Sequence, residues 1–160
     1  MSKHDHIVLG YGWHSLEGSD ISWRWTSNSF SLLLNECDDK ILTFETDEML
    51  VNNFTEVFAK SNDAVDPLKI AEIKTDKGKS FKIVIDLNKI SELRFKTNTF
   101  SPNENNMGNG DARKLGLKIK SFTLHNNSES RTYQMRDIPS NLDDNSYKND
   151  TIINSHTDLY

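Results

Sequence analysis

The residues best suited to ligand chemistry lie close together near the N-terminus, between positions 10 and 25. All three tryptophans of the chain occur there, together with an imidazole, a carboxylate and a guanidinium group. Tryptophan rings stack on the apolar faces of sugar rings, while such polar groups form directional hydrogen bonds to hydroxyls. This mixture is typical of a shallow sugar-binding site. The candidate ligand-binding residues in this segment are Trp13, His14, Glu17 and Arg24.

A purely structural role for the tryptophans is the alternative. Trp23 and Trp25 are two positions apart, so on a strand they share a face. This spacing predicts that they belong to the core, with Arg24 turned outward. Trp13 lies in a turn-like segment next to Gly12, where the sequence leaves a core position and a ligand platform equally open.

A second polar stretch, residues 100–116, forms a loop longer than a hairpin needs, and such loops are often functional or mobile. Asp111 and Arg113 share a side if the backbone is extended. They can pair with each other or reach across to Glu17 and Arg24 in the first segment. Both are candidate ligand-binding residues. An ion-pair network between the two loops is the structural alternative. The residues with predicted structural roles are Trp23, Trp25, Pro102 and Gly116.

The elements that must position these residues are β-strands. From residue 6 to 124, apolar residues recur mostly at period two in about nine short segments. We therefore predict an all-β fold, a two-sheet antiparallel β-sandwich of jelly-roll-like form. The apolar parity changes between Ile119 and Phe122, which predicts a β-bulge there. Residues 76–79 predict a hairpin turn, and residues 46–60 fit either a helix or a strand pair.

The chain of 160 residues has the length of one domain, but its composition changes near residue 125. Beyond that point, apolar residues are scattered among Asn, Ser and acidic residues with neither the period of a strand nor that of a helix. We therefore assign residues 1–125 to the sandwich and residues 126–160 to a polar C-terminal tail, which is either flexible or docked on a partner.

The charge and hydropathy exclude several classes of function. Acidic residues outnumber Lys and Arg by 24 to 19, and this net charge of −5 disfavours nucleic-acid binding. The apolar runs are too short for membrane insertion, and no secretory signal is visible. Cys37 is the only cysteine and cannot form an intrachain disulfide. We therefore expect a cytoplasmic location.

Motifs for catalysis and for cofactor binding are absent from the sequence. It contains no nucleophile elbow, no phosphate-binding loop, no Cys-x-x-Cys and no His-Glu-x-x-His. The 100–116 loop lacks EF-hand spacing, which disfavours calcium. His4 and His6 with His14, a candidate zinc set near the N-terminus, are more typical of solvated histidines than of zinc ligands. We expect no catalytic residues, no cofactor and no metal.

The two polar stretches also carry a family resemblance. A Gly-x-Gly-Trp-His-x-x-Glu opening, a following Arg-Trp, a Ser-Phe-Ser-Leu-Leu-Leu run and a late Phe-Ser-Pro … Asp-x-Arg-x-Leu-Gly motif occur in order. This pattern resembles the accessory β-sandwich domain attached to bacterial glycosyltransferases that build surface polysaccharides. The matching residues are Gly10, Gly12, Trp13, His14, Glu17, Arg24, Trp25, Ser101, Pro102, Asp111, Arg113, Leu115 and Gly116.

The resemblance covers residues 6 to 124 and implies a non-catalytic, carbohydrate-associated module whose partner enzyme performs the chemistry. The first functional hypothesis is therefore a carbohydrate-binding or polysaccharide-biosynthesis-associated module. Its partners would be a glycan or polysaccharide intermediate, with a glycosyltransferase or a second copy of the chain. The alternative hypothesis is a protein-interaction or assembly subunit that uses its sheet edges and C-terminal arm.

Overall fold

The structure is a computed structural model that describes residues 7–34, 41–87, 89–102, 113–126 and 128–140. This part of the chain forms ten strands and one short 3₁₀ helix, Met135–Asp137. The strands are β1 (Ile7–Leu9), β2 (Arg24–Trp25), β3 (Ser29–Leu34), β4 (Ile41–Thr46), β5 (Asn53–Ser61), β6 (Leu68–Thr75), β7 (Lys82–Asp86), β8 (Ile90–Thr97), β9 (Lys118–His125) and β10 (Ser130–Gln134).

The strands form two five-stranded sheets. The first has the order β1-β3-β8-β5-β6, and the second has the order β10-β9-β4-β7, with β2 also paired to β9. All strand pairs in both sheets are antiparallel. The predicted two-sheet antiparallel β-sandwich is therefore confirmed.

Four phenylalanines join the two sheets at the centre of the core. Phe30 and Phe95 of the first sheet stack with ring centroids 4.6 Å apart. Phe44 of the second sheet packs edge-on against Phe95 at 5.6 Å and contacts Phe122 at the same distance. All four are almost completely buried, because the period-two pattern directs alternate side chains of each strand between the sheets.

The predicted bulge lies in β9. Glu45 pairs with Ser121 and Thr46 pairs with Ile119, so Lys120 is the extra residue in the ladder. This insertion lets Ile119 and Phe122 both face the core despite their different parity. The helical alternative for residues 46–60 is wrong, because most of this segment forms β5, an inner strand of the first sheet between β8 and β6.

The turn at residues 76–79 forms but does not make a hairpin. Gly78 has a φ of +85°, and the Lys79 N–H donates to the Asp76 carbonyl at 3.1 Å. The flanking strands β6 and β7 belong to different sheets, so the chain crosses from one sheet to the other here. The prediction located the turn correctly and misjudged the strands that it joins.

The predicted domain boundary at residue 125 is wrong, because residues 128–140 belong to the sandwich. Strand β10 pairs with β9 along its whole length, and Met135 and Ile138 are buried in the core. The Leu9 N–H donates to the Pro139 carbonyl at 2.9 Å, which covers the edge of β1. A strand, a 3₁₀ turn and an extended segment follow one another here, so no single period could reveal them. Residues 141–160 of the predicted tail lie outside the described residues.

Candidate functional site

Trp13 is a core residue, so its predicted contact with ligand is wrong. Its side chain is only 7% exposed and packs edge-on against Phe30 and Phe122, with centroid distances of 5.1 and 6.3 Å. The indole N–H donates to the Ser31 carbonyl at 2.8 Å. A ring held in this way presents no face to a sugar. Of the two alternatives that the sequence left open, the structure shows the core position.

Arg24 is also buried, so its predicted outward orientation and ligand contact are wrong. It is 5% exposed and lies opposite Ile119 in the β2–β9 ladder. Its Nη1 donates to the His14 carbonyl at 3.0 Å, which ties the N-terminal loop to β2. Because neighbours on a strand face opposite ways, Trp23 and Trp25 point outward and are only half-buried.

The two outward tryptophans flank Lys118 on the outer face of the second sheet. Lys118 is the ladder partner of Trp25, and its ammonium lies 4.3 Å from the Trp23 ring centroid and 6.0 Å from that of Trp25. Trp25 also packs edge-on against Phe100 at 5.7 Å. A cation above an indole ring is attracted by the negative face of the ring. These contacts hold both rings at the surface.

An ion pair between the two loops borders these rings. Glu17 exchanges two backbone hydrogen bonds with Trp23, at 2.9 and 3.0 Å. Its carboxylate accepts a 2.9 Å hydrogen bond from Nη1 of Arg113. The structure thus brings Glu17 and Arg113 together, as the structural alternative for these loops predicted. Asp111 lies outside the described residues. We call Trp23, Trp25, Lys118, Glu17 and Arg113 the Trp patch.

His14 lies beside the Trp patch and links the same two loops. Its backbone N–H donates to the Trp25 carbonyl at 2.8 Å. Its ring Nε2 lies 3.2 Å from the Lys114 carbonyl, to which it donates in the tautomer protonated at that nitrogen. The half-buried His14 side chain therefore contributes to the wall of the patch.

The base of the second loop is closed by backbone pairing. Phe100 and Leu115 exchange two hydrogen bonds, at 2.9 and 2.8 Å, and Pro102 is buried beyond them. A Cβ on Gly116 would lie 2.6 Å from Oγ1 of Thr26, so no side chain fits there. Both predicted structural residues of this loop are thus enclosed by the fold, whereas Trp23 and Trp25 are half-exposed.

Lys118 is itself fixed by a carboxylate. Its Nζ lies 3.1 Å from Oδ2 of Asp47. Partial burial opposes ionisation of Asp47, but the Lys118 ammonium and the Glu48 backbone N–H outweigh it, and the pKa of Asp47 lies below its ordinary value of 3.8. The ion pair therefore helps to hold the ammonium over the Trp23 ring.

We expect the Asp47→Asn variant to lose less than about 1 kcal/mol of unfolding free energy at neutral pH, because the carboxylate is 37% exposed. The pKa of Asp47 is lowered by folding, so the contribution is present above the ordinary carboxyl pKa and disappears as the pH falls through the folded value. Urea denaturation of both proteins across this pH range should show their stabilities converging in acid. A difference independent of pH would contradict the ionic origin.

The Glu17–Arg113 pair should give a weak but measurable coupling. Its side chains are 32% and 39% exposed, so solvent screens the charges. In a double-mutant cycle of Glu17→Gln and Arg113→Gln, we expect a coupling free energy of about 0.2 to 1 kcal/mol by urea denaturation. Strictly additive losses would show that the two side chains do not interact in solution.

Neither a membrane-spanning helix nor a metal centre is found in the part of the chain that the structure describes. Among its residues, no helix has the length and apolar composition needed to cross a membrane. No group of three or more His, Cys, Asp or Glu side chains in the described ranges is arranged to hold a metal ion.

The sequence interpretation missed a groove on the outer face of the first sheet. This sheet groove is walled by Tyr11 and Phe58, with Ser29, Arg94 and Lys96 along it, and has a volume of about 380 Å³. These five residues come from four separate segments of the chain. The available signal was the outward-facing Phe58, an aromatic residue between the inward-facing Val57 and Ala59 of the same strand.

Comparisons with known proteins give one structural likeness. No protein-family model matches the chain, and curated proteins give no significant match. A solved structure of a mutant family 29 carbohydrate-binding module is similar over 71% of this chain and 80% of its own, with 13% sequence identity and a TM-score of 0.39. The function proposed below therefore depends on the surface of this chain itself.

Proposed function

We propose that this chain is a non-catalytic carbohydrate-binding β-sandwich module whose ligand lies on the Trp patch. The observation that carries the proposal is the pair of half-exposed tryptophan rings on one face, fixed by Lys118 and bordered by Glu17 and Arg113. Indole rings supply an apolar surface for a sugar ring, and the adjacent charged groups supply hydrogen bonds to its hydroxyls.

The geometry favours weak binding of an extended glycan at the surface. Two rings and a few polar groups that also bond to water give a small net binding free energy, because desolvation and ordering of these groups oppose binding. We expect a dissociation constant on the order of 10 μM to 1 mM. The paired state of Glu17 and Arg113 suits recognition more than proton transfer, because each charge is neutralised by the other.

A polysaccharide intermediate is the ligand that we propose, with a bacterial glycosyltransferase as the partner enzyme in the cytoplasm. The support is the resemblance of the sequence pattern to accessory domains of such enzymes, together with surface side chains suited to ligand contact. In this scheme the module retains the growing glycan near the enzyme.

Glycan-array binding tests the proposal, with the Trp23→Ala, Trp25→Ala double variant beside the unchanged chain. Loss of one stacked ring removes about 0.5 to 1.5 kcal/mol, or roughly 2- to 13-fold in affinity. We therefore expect the double variant to lose all detectable array signal. Titration of the best array ligand against each single variant should then show a separate loss for each ring.

The matched control is Phe54→Ala, which removes another partly exposed aromatic ring, 37% exposed and on the other sheet. It should bind array glycans as the unchanged chain does. Circular dichroism of each variant confirms that the sandwich is intact. Equal array signals for the double variant and the unchanged chain would refute glycan binding at the Trp patch.

A protein-interaction role has one observation in its favour. The edge strand β6 and the turn before it expose large apolar side chains, with Val65 87%, Leu68 71% and Ile70 46% exposed. An apolar edge of this kind can pair with a strand of another chain. A concentration-dependent oligomer that Ile70→Lys dissociates, without any array signal, would favour this second function.

A further inference from the structure

The sheet groove crosses three strands of the first sheet. In the ladders, Ser29 of β3 lies opposite Lys96 of β8, and Arg94 of β8 lies opposite Phe58 of β5. Tyr11 is fixed beside β3, because its N–H donates to Oγ of Ser31 at 3.1 Å. The groove therefore has an aromatic wall at each side and two cationic side chains between them.

The cations of the groove differ in how they are held. The Lys96 ammonium lies 5.5 Å from the centroid of the Phe58 ring. Arg94 is bonded to Glu92 at 3.1 Å on the same strand. Among the residues that the structure describes, no carboxylate lies within ion-pair distance of Lys96. Its ladder partner on β5 is Glu56, whose carboxylate is bound by Lys69 at 2.7 Å, so among these described residues the Lys96 ammonium is held by an aromatic ring and not by an ion pair.

The surrounding face is positive on a protein that is negative overall. Outward positions of β5, β6 and β8 carry five cationic side chains and three carboxylates, although the net charge of the chain is −5. These residues are Lys60, Lys69, Lys74, Arg94 and Lys96, with Glu56, Glu72 and Glu92. The carboxylates are already engaged, since Lys69 pairs with Glu56 and Glu72 and Arg94 pairs with Glu92.

We propose that the sheet groove is a second binding site, for a sugar acid: a pyranose ring that carries a carboxylate. The aromatic walls match the apolar faces of a pyranose, and an anion on that ring would reach Lys96 and Arg94. A neutral sugar would leave the Lys96 charge unmatched. A simple inorganic anion would leave the aromatic walls unused.

This site is independent of the Trp patch. The two lie on the outer faces of different sheets, because the patch is built on β2 and β9 and the groove on β3, β5 and β8. Ligand binding at one site can therefore be refuted while ligand binding at the other is supported. The groove is tested with an acidic ligand, and the Trp23→Ala, Trp25→Ala variant should retain that binding.

The probe is tetragalacturonate, compared with its fully methyl-esterified form, which keeps the rings and linkages but removes the charges. Titration calorimetry on the full chain should show millimolar or tighter binding of the acid, and binding at least about tenfold weaker for the ester. Lys96→Gln should weaken binding of the acid about tenfold. Phe58→Ala should weaken it further, because a wall of the groove is lost.

The matched control is Lys74→Gln on the same face. Lys74 lies 5.6 Å above the Phe54 ring, nearly the same arrangement as Lys96 over Phe58, but outside the groove. It should change the affinity less than twofold. Equal losses for Lys74→Gln and Lys96→Gln would reduce the effect to general charge attraction and overturn the proposal. Equal binding of acid and ester, no binding of either, or displacement by equimolar inorganic phosphate would overturn it as well.

Discussion

Replacing Trp13 with alanine is expected to lower the free energy of unfolding by about 3 to 5 kcal/mol. The ring fills space between the two sheets beside Phe30 and Phe122, so its removal leaves a cavity that β-strands cannot close. It also leaves the Ser31 carbonyl without the indole donor. Urea denaturation followed by far-ultraviolet circular dichroism measures the loss.

Trp13→Phe is the informative companion variant. It keeps an aromatic ring in the cavity while removing the indole N–H, so we expect a smaller loss of about 1 to 3 kcal/mol. A loss below about 1 kcal/mol for Trp13→Ala would show that the side chain is not part of the core. It would restore Trp13 as a candidate ligand platform.

Gly12→Ala should be the second most damaging change, with a loss of about 2 to 5 kcal/mol. Gly12 has a φ of +86°, and an added Cβ would lie 2.0 Å from the Ser29 carbonyl oxygen. The backbone of the N-terminal loop would have to separate from β3, and this loop carries both Trp13 and His14. Denaturation under the same conditions measures the effect.

Gly78→Ala separates the two causes of that loss. Gly78 has nearly the same φ, +85°, but a Cβ there would meet no atom within 4 Å. Gly78→Ala should therefore show only the cost of a side chain at positive φ, a loss of about 1 kcal/mol in the free energy of unfolding. Similar losses at both positions would contradict the close approach of the Gly12 loop to β3.

The strands and the bulge could be predicted from the local sequence pattern, because the backbone geometry of a strand makes its side chains alternate with a period of two. Residues 119–122 show this most clearly, since a parity change within one strand has few physical solutions other than an inserted residue. The pairing of Glu17 with Arg113 was one of the alternatives that the sequence left open, because opposite charges in two adjacent loops attract.

The orientation of β2 did not follow from the pattern. The strand is only Arg24–Trp25, too short for alternation to say which side faces inward. Hydrophobicity favoured the tryptophans, but the buried guanidinium of Arg24 has an acceptor in the His14 carbonyl. Burial of a polar group costs less free energy when the group has a hydrogen-bond partner, so hydrophobicity alone did not decide which side of β2 faces inward.

The sequence could not predict the sheet groove, for a different reason. Tyr11, Phe58, Arg94 and Lys96 become neighbours only through the strand order β3-β8-β5, and the alternating pattern carries no information about strand order. The same limit explains β10, whose pairing with β9 depends on a register that scattered apolar residues do not specify.

The indole N–H signals of the three tryptophans, observed by ¹H–¹⁵N nuclear magnetic resonance during titration with the best array glycan, test glycan binding most directly. The Trp23 and Trp25 rings lie half-exposed on the Trp patch, although the Trp23 Nε1 atom itself is buried, whereas the whole Trp13 ring lies in the core with its N–H on the Ser31 carbonyl. We expect the Trp23 and Trp25 signals to shift with a common binding curve while the Trp13 signal stays fixed. Saturable binding that leaves the Trp23 and Trp25 signals unmoved would contradict the Trp patch as the carbohydrate site.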